Sequence, residues 1–327
     1  MAKEIGIGIV GLGMGANRAR MATETPGVKL VAVCDVNEER AKTVSERHGC
    51  DMYLDYAKML ERDDVDVVHV MTWSGLHADH GMMAARAGKH VITTKPMDVT
   101  VAKCDALIEE CRKAGVKLAV DFDSRYGDTW HTIKRAVDEG VLGKLVLGEA
   151  RLKWFRTQGY YDDGGWRGTW KWDGGGALAN QTVHFIDLLQ WMMGPAETVY
   201  GDSGVYTHKI EGEDMGLAIL RFKNGARGVI VGTTTFPQSP YCGVEIHGDK
   251  GGVLTTKKET QWYWLEGYEP GDFQAKAPAM NVQDNMARAI NEGLPIVVTG
   301  EEGRKSVVLL EAIRESAKSG QVVRVKD

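Results

Sequence analysis

A short apolar run, Ile5–Val10, leads directly into Gly11-Leu12-Gly13-Met14-Gly15-Ala16, and a helix-like stretch follows through about Thr23. The next apolar run, Val28–Cys34, ends at Asp35. Glycines spaced G-x-G-x-x-A between a strand and a helix form a dinucleotide-binding fingerprint. Gly11 permits the tight turn, Gly13 lets backbone N–H groups approach a pyrophosphate, and Ala16 lets helix and strand pack closely. The helix N-terminus adds donors and a favourable dipole at Met14 and beyond. Asp35, roughly twenty residues past the glycines, is placed for ribose hydroxyls. Its negative charge repels a 2′-phosphate, which favours NAD over NADP. The alternative is that Asp35 only caps the next helix, although Asn37 is better placed for that.

Strand and helix patterns keep alternating. Asp55–Arg62 reads as a short helix, Val65–Met71 as a strand, Leu76–Ala87 as a helix closed by Gly88, and His90–Thr94 as a strand. Thr100–Ala114 is a helix capped by Thr100 and stopped by Gly115, and Leu118–Phe122 is the last strand of the series. This alternation predicts a doubly wound parallel sheet, a Rossmann domain over residues 1–124. Ligands in such folds sit at the carboxyl ends of the strands. Three of those ends are polar: Thr72-Trp73-Ser74-Gly75-Leu76-His77, Thr94-Lys95-Pro96 and Asp121–Arg125. Thr72, Trp73 and His77 are therefore expected near the cofactor, with a plain helix-start residue as the alternative for His77. Lys95 precedes a proline and so avoids regular helix. Held at a strand end, it is a candidate for charge stabilisation or proton transfer; the alternative is a solvated surface lysine.

Residues 125–327 form the second expected domain. Its most chemical stretch is Gly174-Gly175-Gly176-Ala177-Leu178-Ala179-Asn180-Gln181-Thr182-Val183-His184-Phe185-Ile186-Asp187. Helical spacing predicts Asn180, His184 and Asp187 on one face, and the glycine-rich entry is expected to let a ligand approach the backbone. A histidine can take or give a proton near neutral pH. The alternative is a buried helix with a satisfied core histidine. Upstream lie Trp154-Phe155-Arg156, Tyr160-Tyr161-Asp162-Asp163 and Trp166-Arg167-Gly168-Thr169-Trp170-Lys171-Trp172. An irregular segment this rich in rings and charges fits the wall of a small-ligand site. Arg156, Tyr160, Tyr161, Asp163, Trp166, Arg167 and Trp170 are its expected lining, and an aromatic packing cluster or oligomer contact is the alternative. Beyond this stretch, strand-like runs separated by turns such as Lys223-Asn224-Gly225 predict a mostly antiparallel open sheet within an α+β domain. Trp262, Tyr263 and Trp264 near such a sheet predict a covered face, hence a homodimer or homotetramer.

The 40 Lys and Arg against 45 Asp and Glu leave a net charge of −5, which disfavours nucleic acid or an anionic membrane as main partner. Five scattered cysteines show no metal-binding spacing, so no metal is expected and reduced thiols in a cytoplasmic setting are. No apolar run reaches the length of a membrane span, and the first residues lack the pattern of a secretory signal.

With the glycine fingerprint, Thr94-Lys95-Pro96 and Gly174–Asp187 together in view, nearly the whole chain resembles the glucose–fructose oxidoreductase / inositol dehydrogenase / MocA family. The resemblance implies a Rossmann domain followed by an α/β domain with a large open sheet, and NAD(P)-dependent oxidation or reduction of sugars and cyclitols. The lysine of the family's Glu-Lys-Pro motif, which lies beside the nicotinamide and the reacting hydroxyl, maps onto Lys95, with Thr94 in the glutamate's place, so the resemblance implies a cofactor contact for Lys95 as well. The family histidine maps onto His184, and the aspartate four residues before it is Asn180 here, which can still hydrogen-bond substrate hydroxyls. Asp187 is then the candidate group to orient His184. The implied activity is hydride transfer between NAD and a secondary hydroxyl of a sugar, glycoside or cyclitol. Two alternatives stand beside it: redox-assisted cleavage of a glycoside with retained NAD, and a non-catalytic NAD(H)-binding protein.

Overall fold

The computed structural model describes residues 3–236, 242–256, 259–276 and 280–326. By contacts the chain divides into two compact units, residues 1–123 with 280–304, and residues 124–279 with 305–327.

The first unit alternates β1 (Ile5–Val10), α1 (Gly15–Glu24), β2 (Val28–Cys34), α2 (Glu38–His48), β3 (Asp51–Tyr53), α3 (Tyr56–Leu60), β4 (Val67–Val70), α4 (His77–Arg86), β5 (His90–Thr94), α5 (Val101–Ala114) and β6 (Leu118–Asp121). Its six strands lie in the order β3-β2-β1-β4-β5-β6, and every pairing is parallel. A parallel sheet is buried on both faces, so its central strands read as continuous apolar runs and not as alternations. Ile5, Ile7 and Ile9 of β1 are fully buried, each contributing about 1.5–3 kcal/mol of apolar transfer. The helix ends follow capping chemistry. Asn37 accepts from the Arg40 N–H at 2.8 Å to start α2, and Gly49 ends it at φ 66°. Strand order reverses between β1 and β4, which places a ligand crevice at their carboxyl ends. The short β3 escapes the sequence reading because three half-exposed residues carry no hydrophobic period.

The second unit holds α6 (Asp128–Asp138), β7 (Leu145–Lys153), α7 (Gln158–Asp162), a π-helical turn (Ala177–Thr182), α8 (Val183–Met193), β8 (Ala196–Gly204), β9 (Met215–Phe222), β10 (Arg227–Thr233), β11 (Gly243–Gly248), β12 (Gly252–Thr256) and β13 (Thr260–Tyr263). α9 (Val282–Asn291), α10 (Gly300–Ser319) and β14 (Val323–Arg324) complete the chain. The eight-stranded sheet runs β13-β12-β11-β7-β10-β9-β8-β14, and only β7 and β10 pair in parallel. β9 shows the period of two that one buried face dictates: Ala218, Leu220 and Phe222 point inward, and Leu217 and Ile219 are exposed. Glycines make a trough on the inward face. A Cβ at Gly148 would lie 2.6 Å from Met193, one at Gly216 2.5 Å from Leu178, and one at Gly232 2.3 Å from Thr182. The π turn and α8 therefore seat on β7, β9 and β10 because those positions lack side chains.

The Trp262 ring packs edge-on to Phe273 at 4.7 Å, in a cluster with Ala136 and Val141, while Tyr263 and Trp264 beside it are exposed. Residues 280–304 group with the first unit, not with the second as a single cut at 124 has it. Asn281 donates to Thr25 Oγ1 at 2.8 Å, Gln283 donates to the Arg18 carbonyl at 3.0 Å, and the Val120 N–H donates to the Val298 carbonyl at 2.9 Å. No helix among the described residues is long and apolar enough to cross a membrane.

Candidate active site

In the first unit, the glycine loop joins β1 to α1 beside the end of β4. Gly11 has φ 87°, and a Cβ there would lie 2.7 Å from the Met71 carbonyl group, so only glycine fits. A Cβ on Gly13 would meet nothing within 4 Å. This is a backbone surface open to a ligand. α1 starts at Met14 with no side-chain cap and no acid in its first turn, leaving its N–H donors for an anion. Close helix–strand packing belongs to Gly15 and not to Ala16. Gly15 is buried, and a Cβ there would come 3.1 Å from Met71 and 3.3 Å from Ile9, whereas Ala16 is half-buried.

Asp35 is only 6% exposed. Its Oδ2 accepts from the Leu12 N–H at 2.7 Å and from Arg40 at 3.2 Å, and its Oδ1 accepts from the Asn37 N–H at 2.8 Å. The carboxylate thus braces the glycine loop from the end of β2. These residues fit a dinucleotide: the open Gly13, the uncapped helix and the anchored acid are what a pyrophosphate and an adenosine ribose require.

Thr72 follows β4 and pairs its hydroxyl with His80 Nδ1 at 3.0 Å; Trp73 beside it is 40% exposed. Lys95 follows β5 directly and is half-buried. His77, expected near the cofactor, has both ring nitrogens turned to backbone carbonyls. It is 1% exposed, with Nδ1 2.7 Å from the Pro96 carbonyl and Nε2 3.0 Å from the Thr72 carbonyl. It bridges the loop after β4 to the residue after Lys95, and so positions both strand ends from inside. Burial pushes its imidazole down to about 4, against about 6.5 in the unfolded chain. Between those values the unfolded state binds more protons, so stability is full above pH 6.5 and is lost as pH falls toward 4. Acidifying from pH 7 to 5 is therefore expected to cost about 2 kcal/mol through this residue alone. Burial also lowers His69, His80 and His90, with the same sign. Urea midpoints at the two pH values check this. His77→Gln should remove that share of the difference, and an unchanged slope in the variant would assign the loss elsewhere.

In the second unit, the loop Gly174-Gly175-Gly176 opens the π turn. Glu213 governs it. The buried Glu213 Oε1 accepts from the Gly176 N–H at 3.1 Å and the Leu178 N–H at 2.9 Å. Burial raises its pKa while these donors pull the other way. A Cβ on Gly175 would lie 2.5 Å from Glu213 Oε2, and one on Gly176 2.3 Å from the Glu213 carbonyl oxygen. The glycines accommodate this neighbouring segment; the expected close approach of a ligand is not what demands them. Arg314 donates to the Gly174 carbonyl and stacks over Trp170 at 4.7 Å.

Asn180 lies in the π turn, whereas His184 and Asp187 lie in α8. The α-helical spacing argument therefore does not carry across from Asn180 to His184, because the π turn holds one residue more per hydrogen bond. Thr182 Oγ1 donates to the Ala177 carbonyl at 2.7 Å within that turn. His184 is half-buried in the first turn of α8. Asp187, held in reserve as its orienting group, is buried and gripped by Arg125 through two bonds of 2.7 and 2.8 Å.

A polar chain starts at Asp173, which accepts from the Asn180 amide and, at 2.8 Å, from the Gly168 N–H. Asn180 Oδ1 accepts from Gln181 Nε2 at 2.8 Å. Gln181 Nε2 also donates to the Tyr160 hydroxyl at 2.8 Å, and its Oε1 accepts from Arg156 at 3.0 Å. Arg156 lies 4.7 Å from the Trp154 ring centre and 4.9 Å from that of Tyr160; Arg167 lies 4.6 Å from Tyr160 and 5.0 Å from Trp166. Rings and guanidinium groups thus alternate along one wall. Asp163 is exposed and pairs with Arg167 at 3.3 Å. Tyr161 leaves the wall: it is 4% exposed, bonds Thr234 Oγ1 at 2.7 Å and packs on His208. It takes the packing role that the aromatic segment also allowed. Sequence reasoning missed Gln181, Asp173 and Glu213. Gln181 and Asp173 directly flank the residues singled out, while Glu213 had no local signal. Among the described residues no group of three or more His, Cys, Asp or Glu is arranged to hold a metal ion.

Residues 5–122 match the family model described as "Oxidoreductase family, NAD-binding Rossmann fold", and residues 130–254 that of the GFO/IDH/MocA C-terminal domain. Myo-inositol 2-dehydrogenase of Thermotoga maritima is 26% identical over 352 residues, spanning 98% of each chain. The crystal structure of the WlbA dehydrogenase from Bordetella pertussis, in complex with NADH and UDP-GlcNAcA, superposes with a TM-score of 0.91 at 31% identity, covering 99% of this chain and 100% of that one. Aldose-aldose oxidoreductase from Caulobacter crescentus, complexed with glycerol, gives 0.85 at 27% identity over 98% of this chain and 100% of that one. The NAD-binding fold of the first unit, the open sheet of the second and these likenesses over the full chain make this protein a member of the GFO/IDH/MocA family of NAD-binding oxidoreductases.

Proposed function

We propose that the chain is an NAD-dependent dehydrogenase acting on a secondary hydroxyl of a sugar, glycoside or cyclitol, with Lys95 and His184 serving the reacting hydroxyl. The observation that carries this reading is the Asp173–Asn180–Gln181 hydrogen-bond chain, whose Asn180 and Gln181 lie in the π turn leading into α8 and His184, and which bonds the Tyr160–Arg156 wall. Such a chain matches a polyhydroxylated ligand, which needs donors and acceptors in fixed alternation beside apolar ring faces. The inositol-, nucleotide-sugar- and aldose-acting relatives support the same substrate class.

Bound NAD supplies the hydride acceptor. Gly11, Gly13 and Met14 would hold its pyrophosphate, Asp35 its adenosine ribose, and Thr72 and Trp73 would line the nicotinamide end. The acid at Asp35 selects NAD over NADP by repelling a 2′-phosphate, although Arg40 at 3.2 Å tempers that charge. An imidazole nitrogen of His184 takes the hydroxyl proton as the carbon gives up hydride, and returns it in reduction. The Lys95 ammonium hydrogen-bonds the same oxygen and stabilises developing alkoxide charge. Asn180 and Arg167 orient the hydroxyls, and Tyr160, Trp166 and Trp170 wall the ring. We also propose a homodimer or homotetramer formed through the outer sheet face, where Tyr200, Leu217 and Ile219 are exposed.

The test adds sugars, methyl glycosides and inositols to the purified protein with NAD at alkaline pH and follows NADH absorbance. Stoichiometric NADH from one class, lost in Lys95→Ala, is expected. Disappearance of a glycoside without NADH, or equal NADH formation by the Lys95 variant, would refute the assignment.

A further inference from the structure

Arginines in this protein mostly meet carboxylates: Arg18 pairs with Asp121, Arg62 with Asp51 and Asp64, Arg125 with Asp187, and Arg167 with Asp163. Arg156 does not. It is half-buried, its guanidinium lying 4.7 Å from the Trp154 ring centre and 4.9 Å from that of Tyr160, and no ion pair is found for it among the described residues. Its Nε is buried without a hydrogen-bond partner among the described residues, and its one side-chain bond goes to the neutral Gln181.

The position is built, not incidental. The Arg156 N–H donates to the Thr234 carbonyl at 2.9 Å, and its own carbonyl lies 2.8 Å from His208 Nε2. His208 is fixed in turn by Asp214 at 3.0 Å. Backbone and guanidinium are thus both immobilised before any ligand arrives. A partly desolvated guanidinium without a counter-charge is costly, and cation–π contact with the rings offsets only part of that. What such a group matches is a planar or tetrahedral anion able to take two N–H bonds.

We propose that the substrate is an anionic sugar, carrying a carboxylate or phosphate that Arg156 binds while its reacting hydroxyl lies toward His184. This rests on the dehydrogenase reading above, because it takes the Gln181 network as the substrate side. Gln181 joins the two ends: it bonds Arg156 on one side and Asn180 on the other, three residues before His184. Arg167, on the other side of Tyr160, adds positive potential, partly cancelled by Asp163.

The experiment compares each of several aldohexoses with its uronic acid and its 6-phosphate, in steady-state NAD reduction. At least one acid is expected to exceed its neutral parent in kcat/KM by about tenfold or more, through KM. A preference for uronates alone identifies the carboxylate, and for phosphates alone the phosphate. Arg156→Gln should raise the KM of the preferred acid about tenfold or more while kcat falls far less, and Arg156→Lys should fall between. In the unaltered protein that KM should rise with salt while that of a neutral sugar does not; this arm stands even if the variants fold poorly. Neutral sugars serving as well as both acids, or an acid KM indifferent to salt and to Arg156→Gln, would overturn the inference with the dehydrogenase intact. Should no compound yield NADH, the dehydrogenase reading fails instead. Thermal stabilisation of the NADH complex by uronate or sugar phosphate then reads Arg156 directly: a shift lost in Arg156→Gln upholds the anion site, and no shift with either acid sinks it.

Discussion

His184→Ala is expected to lower kcat for NAD reduction by about 10²–10⁴-fold, the usual contribution of a positioned general base. The hydroxyl proton then has to leave to water while hydride departs from the same carbon. NADH affinity should change little, because the glycine loop and Asp35 belong to the first unit and His184 to the second. Single-turnover absorbance with saturating sugar, paired with an NADH fluorescence titration, separates the two effects. The variant should also lose the pH-rate limb that reports the base in the unaltered enzyme, and His184→Gln should not restore it. A kcat within a few-fold of the parent would remove His184 from the proton transfer and leave it a packing residue of α8, which the apolar surroundings of that helix also permit.

How much of this was legible depends on how local each determinant is. The glycine fingerprint and Asp35 were readable because strand, turn, helix and acid fall within a few dozen residues, and each position has its own steric reason. Even there the packing role fell to Gly15 and not Ala16, since only the structure shows which residue faces Met71. The π turn was not readable. Its apolar content equals that of an α-helix, and what stabilises it comes from elsewhere: Glu213 on its first N–H groups and the sheet glycines 216 and 232 beneath it. Tyr160 and Tyr161 are adjacent in an irregular segment, so no period tells which ring faces the network and which the core. The return of residues 280–304 to the first unit is invisible to any cut along the chain, because it is made by side chains such as Asn281 and Gln283 reaching residues more than two hundred positions away.

Arg125→Ala is expected to destabilise the second unit by about 3–5 kcal/mol, the cost of removing one member of a buried ion pair. Arg125 and Asp187 side chains are 4% and 3% exposed, and two parallel bonds of 2.7 and 2.8 Å join them. The guanidinium also covers the Trp191 ring at 4.4 Å, so the truncation opens a gap as well. With roughly 2–4 °C per kcal/mol for a unit of this size, its melting temperature should fall by about 6–20 °C. The pair itself need not be strongly stabilising: removing both charges, as in Arg125→Met with Asp187→Leu, should recover much of the loss, because an apolar pair leaves no charge unpaired. Calorimetry of the single and double variants checks this. A single variant within about 1 kcal/mol of the parent would show that water or another group reaches the Asp187 carboxylate. The same pair ties function to fold, since Asp187 sits one turn beyond His184 on α8. If Arg125 fixes the rotation of that helix, the double variant should melt near the parent and still turn over more slowly, with the deficit in kcat and not in NADH affinity.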